Sequence, residues 1–404
     1  MIGLVGLAHG TSHFFHLMLP PLFPWLMKDF DLSYTEAGLL MTVFFVISAI
    51  GQALGGFVVD RFGSRPVLFF GIGLLALSGV ILGLSNSYSM LLLTAAVAGL
   101  GNSIFHPADF TLLNRRVAQP RLGHAFSVHG LSGNLGWAAA PVFMASIASV
   151  AGWQAAGFAA AAIGAVVLVV LISRRSMLVY AAAELVVPSH AEAEAANTSP
   201  NRLGFLRSIP VWLCFAFFFF TTAAFGILQN YAPAILGNVY GMSLVVATGS
   251  LTAYLLGSAA GTITGGFLAA RNSGIGSNDR VIAAALGFAA LMALLIASGQ
   301  LAAALVLPTM VLMGFGVGAA GPSRDLLVRR AATSQFGQTS FGRIYGFVYS
   351  GLDIGLALSP LAFGPLLDAG QFQSALIAVA VLQIAALITA TRVGVAARAA
   401  PVRA

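Results

Sequence analysis

Twelve long apolar segments follow one another along this chain of 404 residues, and they constrain its fold more than any other feature. About 20 consecutive apolar residues form a helix long enough to cross a bilayer. Only 8% of the residues are charged, whereas about a quarter are charged in a soluble globular protein. We therefore predict an all-α membrane protein with transmembrane helices near residues 2–27, 35–59, 66–86, 89–113, 123–149, 153–173, 208–232, 243–270, 280–298, 301–327, 343–367 and 371–392. Ser33 and Glu36 predict a capping box for the second helix, and Pro66 predicts the start of the third.

The positive charges predict how these helices are oriented. Of the 19 lysines and arginines, all but Lys28 and Arg324 lie in the even-numbered loops or in the carboxyl-terminal tail. Cytoplasmic loops of membrane proteins carry an excess of lysine and arginine. We therefore expect a multi-pass protein of a bacterial-type plasma (inner) membrane with both termini in the cytoplasm. The net charge of +7 is then a topology signal and predicts no nucleic-acid partner.

The two halves of the chain repeat one plan. The Gly-Gly-Phe and arginine of residues 55–61 recur in residues 265–271. Four positions of the fifth segment align with the eleventh at one offset of 219, and three of the four residues are identical. Halves with the same orientation predict parallel repeats about an axis along the membrane normal. The domains are therefore expected to be a six-helix bundle over 1–173, a cytoplasmic linker over 174–207, a second six-helix bundle over 208–392 and a tail over 393–404.

The loop between the second and third segments carries a recognisable signature. It reads Gly56-x-x-x-Asp60-Arg61-x-Gly63-x-Arg65, and in this context the whole chain resembles the major facilitator superfamily of transporters. The resemblance implies two pseudo-symmetric six-helix bundles. It also implies that these five residues form a cytoplasmic gate.

Shorter motifs narrow the resemblance. Residues 105–109 read Phe-His-Pro-Ala-Asp, residues 121–130 read RLGHAFSVHG, and three histidines precede Pro20 and Pro21 in the first segment. These motifs resemble the fosmidomycin-resistance-like, drug-efflux branch of the superfamily. That resemblance implies efflux of a drug or phosphonate by proton antiport.

Ionisable groups inside the apolar segments are the candidate site residues, because such groups are costly at membrane depth and are commonly functional. The candidates for proton coupling are Asp109, Asp353, His13, His16 and His129. The candidates for substrate binding are His13, His16, His106, Arg324, Gln229, Asn230 and Asn134.

The histidines of the first segment, His9, His13 and His16, lie on one face of a helix because they are spaced by four and three residues. They could relay protons or contact substrate, since histidine titrates near neutral pH. They could instead form fixed hydrogen bonds with neighbouring helices. Histidines at i and i+4 can also bind a metal. However, no cysteine or carboxylate lies beside them on this segment, so we predict no metal site and no cofactor.

Asp109 and Arg324 occupy equivalent positions, two residues after Pro107 and Pro322. In a functional interpretation Asp109 carries the coupling proton, and Arg324 either binds an anionic substrate group in bidentate fashion or pairs with Asp109. In a structural interpretation Arg324 forms a fixed ion pair. Both interpretations stay open at the level of sequence.

The motifs exclude several classes of protein. There is no phosphate-binding loop and no nucleophile or zinc-hydrolase motif, so we predict that the chain is not an enzyme. The favoured function is a secondary active transporter that works by alternating access, with proton-coupled efflux (antiport) of a small anionic organic compound or drug. The alternatives are proton-coupled uptake (symport) of a carboxylate or phosphonate, and a transporter-like sensor. The expected partners are a small-molecule substrate, protons and the lipid bilayer, and a monomer is expected.

Overall fold

The computed structural model describes residues 1–117, 119–178, 204–271, 277–336 and 341–399, and within these parts it contains helices and no strand. The α-helices are α1 (Ile2–His16), α2 (Phe23–Phe30), α3 (Tyr34–Phe62), α4 (Ser64–Leu84), α5 (Tyr88–Asn102), α6 (Phe105–Arg116), α7 (Gln119–Ala151), α8 (Trp153–Ser173), α9 (Ile209–Tyr240), α10 (Leu244–Arg271), α11 (Ser277–Ala297), α12 (Ala303–Phe336), α13 (Phe341–Asp368) and α14 (Phe372–Ala399). Short 3-10 turns cover Pro20–Leu22, Arg175–Leu178 and Gly204–Arg207. Most of the predicted linker lies outside the described residues.

The predicted transmembrane segments are confirmed with one correction and one refinement. Eleven spans in the described parts are long and apolar enough to cross a membrane, and they match the second to twelfth segments. The first segment is not one continuous helix over 2–27, because α1 ends at His16 and α2 begins only at Phe23. Prolines stand at the start of both later pieces, and proline cannot continue the hydrogen bonding of a preceding helical turn. The fourth segment is divided into α5 and α6 at residues 103 and 104.

The start of α3 follows the predicted capping box. Ser33 Oγ accepts a hydrogen bond from the Glu36 backbone N–H at 3.1 Å, and the Glu36 carboxylate accepts one from the Ser33 backbone N–H at 2.9 Å. Both bonds satisfy donors that a helix start leaves unpaired. At the other end of α3, Gly63 has a φ of 81°, which a residue with a side chain rarely adopts. The predicted gate signature therefore covers the tight turn from α3 into α4.

The chain forms two compact units. Unit 1 contains Met1–Glu184, Ile227–Leu256 and Ala357–Ala375, and unit 2 contains Leu185–Gly226, Gly257–Leu356 and Leu376–Ala404. Unit 1 thus combines α1 to α8 with parts of α9, α10 and α13.

Hydrogen bonds within unit 1 join the start of α3 to helices from the second half of the sequence. The Asp368 carboxylate, at the end of α13, accepts from the backbone N–H groups of Tyr34 and Thr35 at 2.6 and 3.1 Å. The Tyr231 hydroxyl, on α9, lies 3.0 Å from the Tyr34 carbonyl and 3.2 Å from the Pro360 carbonyl. A carboxylate at a helix amino terminus is favourable because it meets free N–H groups and the positive end of the helix dipole.

Unit 2 has an apolar core in which the single cysteine is buried. Cys214 is 1% exposed and packs with Phe217, Phe218, Ile282 and Val348. The thiol is therefore a packing group.

Candidate functional site

Unit 1 gathers five histidines and one aspartate into a buried group, which we call the histidine cluster. Helix α1 supplies three histidines from one face, α6 supplies His106 and Asp109, and α7 supplies His129. The members of the cluster are His9, His13, His16, His106, Asp109 and His129. Helix α1 packs on both α6 and α7, which brings these side chains together.

Glycines on α7 set the distance between α7 and α1. A Cβ atom at Gly136 would collide with the backbone of Gly10, and one at Gly133 would lie 2.8 Å from ring atoms of His13. Side chains at these positions would push α1 away from α7. The absence of side chains there therefore permits the histidines of α1 to reach α6 and α7.

This packing gives a first prediction. Gly136→Ala should lower the melting temperature of the purified protein, because overpacking a close contact costs about 1–3 kcal/mol. Gly130→Ala on the same helix is the matched control, since an added Cβ meets nothing within 4 Å there. Alanine also has a higher helix propensity than glycine, so the control should melt at the same or a higher temperature. Equal melting temperatures for the two variants would contradict the proposed role of Gly136.

Asp109 lies at one end of the cluster, between His9 and His129. Its side chain is fully buried, and its Oδ2 atom lies 3.1 Å from His129 Nε2 and 3.4 Å from His9 Nδ1. The His9 and His129 rings stack with their centroids 3.5 Å apart. Among the described residues, Asp109 Oδ1 has no hydrogen-bond partner. A buried carboxylate with this environment can hold a proton itself or pair with a protonated histidine.

His13 lies at the middle of the cluster. Its ring centroid is 4.3 Å from that of His9, 4.9 Å from that of His16 and 4.3 Å from that of Trp137. Neither ring nitrogen has a hydrogen-bond partner among the described residues. Buried polar atoms in proteins nearly always have a hydrogen-bond partner. The His13 ring nitrogens can therefore bind water, a proton or a ligand.

His16 is fixed at the other end by a hydrogen bond. Its Nε2 atom lies 2.7 Å from Asn102 Oδ1, and the Asn102 amide donates to Ser48 Oγ at 2.8 Å. Since the Oδ1 atom of Asn102 can only accept, Nε2 of His16 carries the hydrogen. His16 thus has one defined donor, and its other nitrogen has no partner among the described residues.

Helix α3 connects the two ends of the cluster. His106 Nδ1 lies 2.8 Å from Gln52 Oε1, and Gln52 Nε2 donates to Ser48 Oγ at 3.5 Å. Ser48 in turn accepts from Asn102, which holds His16. A chain of polar contacts therefore runs from His106 to His16 along α3.

The structure brings together five of the predicted site residues. His13, His16, His106, Asp109 and His129 all belong to the cluster. Their roles in coupling or binding remain predictions.

The other predicted residues lie elsewhere. Asn134 is half-buried on α7, and Gln229 is buried on α9, where neither of its amide atoms has a hydrogen-bond partner among the described residues. Asn230 lines a cavity of about 350 Å³ together with Pro20, Tyr34 and Asn238, and no residue of the cluster is among the described residues that line it.

Arg324 and Asp353 belong to unit 2, whereas the histidine cluster belongs to unit 1. The guanidinium carbon of Arg324 lies 4.6 Å from the centroid of the Phe218 ring, a cation–π arrangement. Asp353 is half-buried on α13. The side chain of Asp325, a further acid beside Arg324, lies outside the described set.

The predicted gate residues lie at the end of α3 and the start of α4. Arg61 is exposed, and Arg65 is half-buried in the first turn of α4. Gly63 forms the turn between the two helices. The side chain of Asp60, like the surroundings of Gly56, is outside the described residues.

Sequence reasoning missed several residues that the fold places in contact with the cluster. These residues are His9, Ser48, Gln52, Asn102 and Trp137. His9 was considered as a possible proton relay but is not among the predicted coupling residues. Ser48 and Gln52 carry a detectable signal, since two polar residues four positions apart in an apolar segment share one helix face. Asn102 and Trp137 carry no comparable pattern.

The cluster also contains two groups of three possible metal ligands. One is His9, His13 and His106, and the other is His9, Asp109 and His129, with ligand atoms within 4.8 Å of one another in each group. The prediction of no metal site depended on the lack of a carboxylate on the first segment. In the fold, α6 supplies that carboxylate.

Comparison with solved structures identifies the fold of this chain. The crystal structure of a bacterial homolog to the human lysosomal transporter Spinster, in an inward-facing and unoccupied conformation, matches 99% of this chain and 98% of its own, with a TM-score of 0.74 and 15% sequence identity. At this identity the likeness shows the fold alone. The predicted fold class is confirmed.

The family follows from the sequence as a whole. The family model described as Major Facilitator Superfamily matches residues 5–340, and the chain belongs to this superfamily. This family consists of membrane transporters and not of enzymes, which confirms the prediction that the chain is not an enzyme.

Curated relatives narrow the comparison. The fosmidomycin resistance protein of Escherichia coli (strain K12) is 29% identical over 269 residues, which cover 66% of this chain and 64% of that protein. A probable nitrate transporter of Staphylococcus epidermidis is 25% identical over 137 residues, which cover 34% of this chain and 35% of that protein. The chain thus spans less than two thirds of the length of either relative. The predicted resemblance to the fosmidomycin-resistance-like branch is confirmed.

Proposed function

We propose that this transporter expels a small, anionic organic compound or drug from the cytoplasm in exchange for protons. The observation that carries the proposal is the fully buried Asp109 carboxylate with two imidazole nitrogens beside one of its oxygens. Ionisable residues within membrane spans are rare and commonly functional, and Asp109 lies within the span Tyr88–Leu113. Taking up a proton removes the charge of the carboxylate, which gives the protein two states that differ in the energy of this site.

The rest of the cluster supports a path for the proton. Ring centroids of successive histidines from His129 through His9 and His13 to His16 lie between 3.5 and 4.9 Å apart. Histidine both donates and accepts, and it titrates near neutral pH. We assign proton coupling to Asp109 and His129, with His13 and His16 continuing the path, and we place Asp353 in unit 2 as a second coupling acid.

An anionic substrate is supported by two observations of different kinds. Arg324 is a cation inside a transmembrane helix, and a guanidinium binds carboxylate, phosphonate or nitrate groups through two parallel hydrogen bonds. The relatives include a protein named for fosmidomycin resistance and one named as a probable transporter of nitrate, which is an anion. We propose Arg324 of unit 2 as a residue that binds an anionic group. The proposed substrate-binding residues of unit 1 are His13, His16, His106, Gln229, Asn230 and Asn134.

Alternating access requires that contacts at each end of the transporter break in turn. The bonds of Asp368 to the start of α3 and of Tyr231 to Tyr34 and Pro360 join helices from the two sequence halves. We propose that these bonds open when access changes. On the cytoplasmic side of an inner membrane, the Gly56–Arg65 turn acts as the opposing gate.

Transport by reconstituted protein tests this function. Purified full-length protein is sealed into liposomes with a pH gradient, and flux is measured for fosmidomycin, nitrate, phosphonates and small carboxylates. Antiport predicts that a substrate moves against the direction of proton flow and that substrate addition triggers proton movement. Movement in the same direction would establish uptake by symport. A folded protein that moves no compound in the panel would favour a sensor.

A further inference from the structure

We propose that His9, Asp109 and His129 form a binding site for a divalent transition-metal ion such as Zn²⁺. The site goes beyond the transport proposal, since metal binding requires neither a membrane gradient nor a substrate. The juxtaposition that carries it is one carboxylate oxygen, Asp109 Oδ2, with His129 Nε2 at 3.1 Å and His9 Nδ1 at 3.4 Å.

These distances fit a shared metal ion. Zinc binds imidazole nitrogen and carboxylate oxygen at about 2.0–2.2 Å in a tetrahedron, so neighbouring ligand atoms lie roughly 3.3 Å apart. The two measured distances from Asp109 Oδ2 lie on either side of this value. The ligand atoms of all three residues lie within 4.8 Å of one another. The His9 and His129 rings stack in this structure, so tetrahedral binding requires the two rings to turn apart.

The kinds of ligand favour a borderline metal. Two imidazoles and one carboxylate make up the set of three protein ligands found in several zinc sites that keep a fourth position open. Imidazole suits zinc, copper, nickel and iron, whereas Mg²⁺ and Ca²⁺ prefer oxygen ligands. The set therefore selects transition metals over the abundant hard cations.

Burial supplies an independent argument. His9, Asp109 and His129 are 3%, 0% and 6% exposed. Among the described residues, neither His9 Nδ1 nor Asp109 Oδ1 has a hydrogen-bond partner. Buried polar atoms normally have partners, and a cation held by Asp109 Oδ2 would satisfy the lone pair of His9 Nδ1.

The neighbouring residues determine the expected stoichiometry. The second possible ligand group, His9 with His13 and His106, shares His9 with the first. A neutral imidazole has one nitrogen lone pair, so His9 can bind one ion, and one ion per chain is expected. His13 and His106 then lie beside the bound ion and, together with His9, offer it a second possible position.

Direct titration tests the proposal. Full-length protein carrying an affinity tag without histidines is purified in detergent, freed of metal and titrated with Zn²⁺ by calorimetry. We expect saturable binding of one Zn²⁺ per chain and no comparable binding of Mg²⁺. His9→Gln, Asp109→Asn and His129→Gln should each weaken Zn²⁺ binding by at least about tenfold.

Two control variants separate this site from other ligands. Asp29→Asn changes an acid that accepts from Trp153 Nε1 and is not part of the cluster, and His190→Gln changes a histidine of the linker outside the described residues. Both should bind Zn²⁺ as the wild type does. Absence of saturable Zn²⁺ binding in the wild type, or undiminished binding in all three ligand variants, would overturn the proposal.

A second measurement keeps the test valid if a ligand variant fails to fold. Co²⁺ added to the wild-type protein should give the intense visible absorption of a tetrahedral site, and Zn²⁺ should displace it. A weak spectrum typical of six-coordinate Co²⁺ would count against the site. Because binding is measured without a gradient and transport is measured with a chelator present, either proposal can fail while the other stands.

Discussion

Replacing Asp109 by asparagine is expected to abolish pH-driven substrate accumulation in liposomes while leaving exchange of substrate across the membrane measurable. Asparagine has nearly the same shape as a protonated aspartate but cannot take up or release a proton. The variant should therefore change between its two access states with substrate bound, yet it cannot couple that change to proton flow. Accumulation should fall to the level of liposomes without protein.

The control for Asp109→Asn is another acid of unit 1. Asp29 accepts a hydrogen bond from Trp153 Nε1 at 2.7 Å and has no part in the histidine cluster. Asp29→Asn should therefore retain driven accumulation. If the Asp109 variant still accumulates substrate at the wild-type rate, then Asp109 is structural and the coupling assignment is wrong.

The second large effect is expected at Arg324. Arg324→Lys should weaken the binding of anionic compounds by roughly 10- to 100-fold, because lysine lacks the paired donors of a guanidinium and one charge-assisted hydrogen bond contributes about 1.5–3 kcal/mol. Neutral analogues should lose far less. Binding is measured by calorimetry or by competition with a labelled substrate.

Two variants show whether Arg324 acts on the substrate or on the fold. Arg392→Lys changes an exposed arginine on α14 and should leave binding unchanged. Phe218→Leu removes the ring over which Arg324 lies at 4.6 Å and should reduce anion binding by a smaller factor if the ring positions the guanidinium. Equal losses for anionic and neutral compounds in Arg324→Lys would indicate a structural arginine instead.

Sequence reasoning predicted the helices well because apolar length is a local property. The capping box at Ser33 and the turn before Pro66 follow from neighbouring residues, and the structure confirms the capping box and places α4 directly after the turn at Gly63. The break in the first segment also depends on neighbouring residues, since prolines stand where the later pieces begin. It was missed because hydropathy alone joins α1 and α2.

The site was harder to predict because it depends on contacts between helices. Spacing places three histidines on one face of α1, but it does not tell which of them meets Asp109 of α6. The fold gives that position to His9, which is not among the residues predicted to couple protons. The same limitation led to the argument against a metal, since a carboxylate distant in sequence can lie beside a histidine in space.

Close approach of helices explains why these contacts form. Gly136 and Gly133 could be recognised in the sequence as small residues, yet the atoms that they admit, the Gly10 backbone and the His13 ring, belong to another helix. Asn102 likewise gains its role only by meeting His16.

Exchange of substrate for protons requires that substrate binding and protonation of the cluster around Asp109 oppose one another, and proton release on substrate binding measures this directly. Purified protein in weakly buffered detergent solution, with a chelator present, is mixed with a compound that the liposome panel identifies, and a pH indicator reports protons. Proton antiport through Asp109 predicts that the wild type releases protons as the substrate saturates it and that Asp109→Asn releases none. Proton uptake by the wild type, or equal release by both proteins, would contradict it.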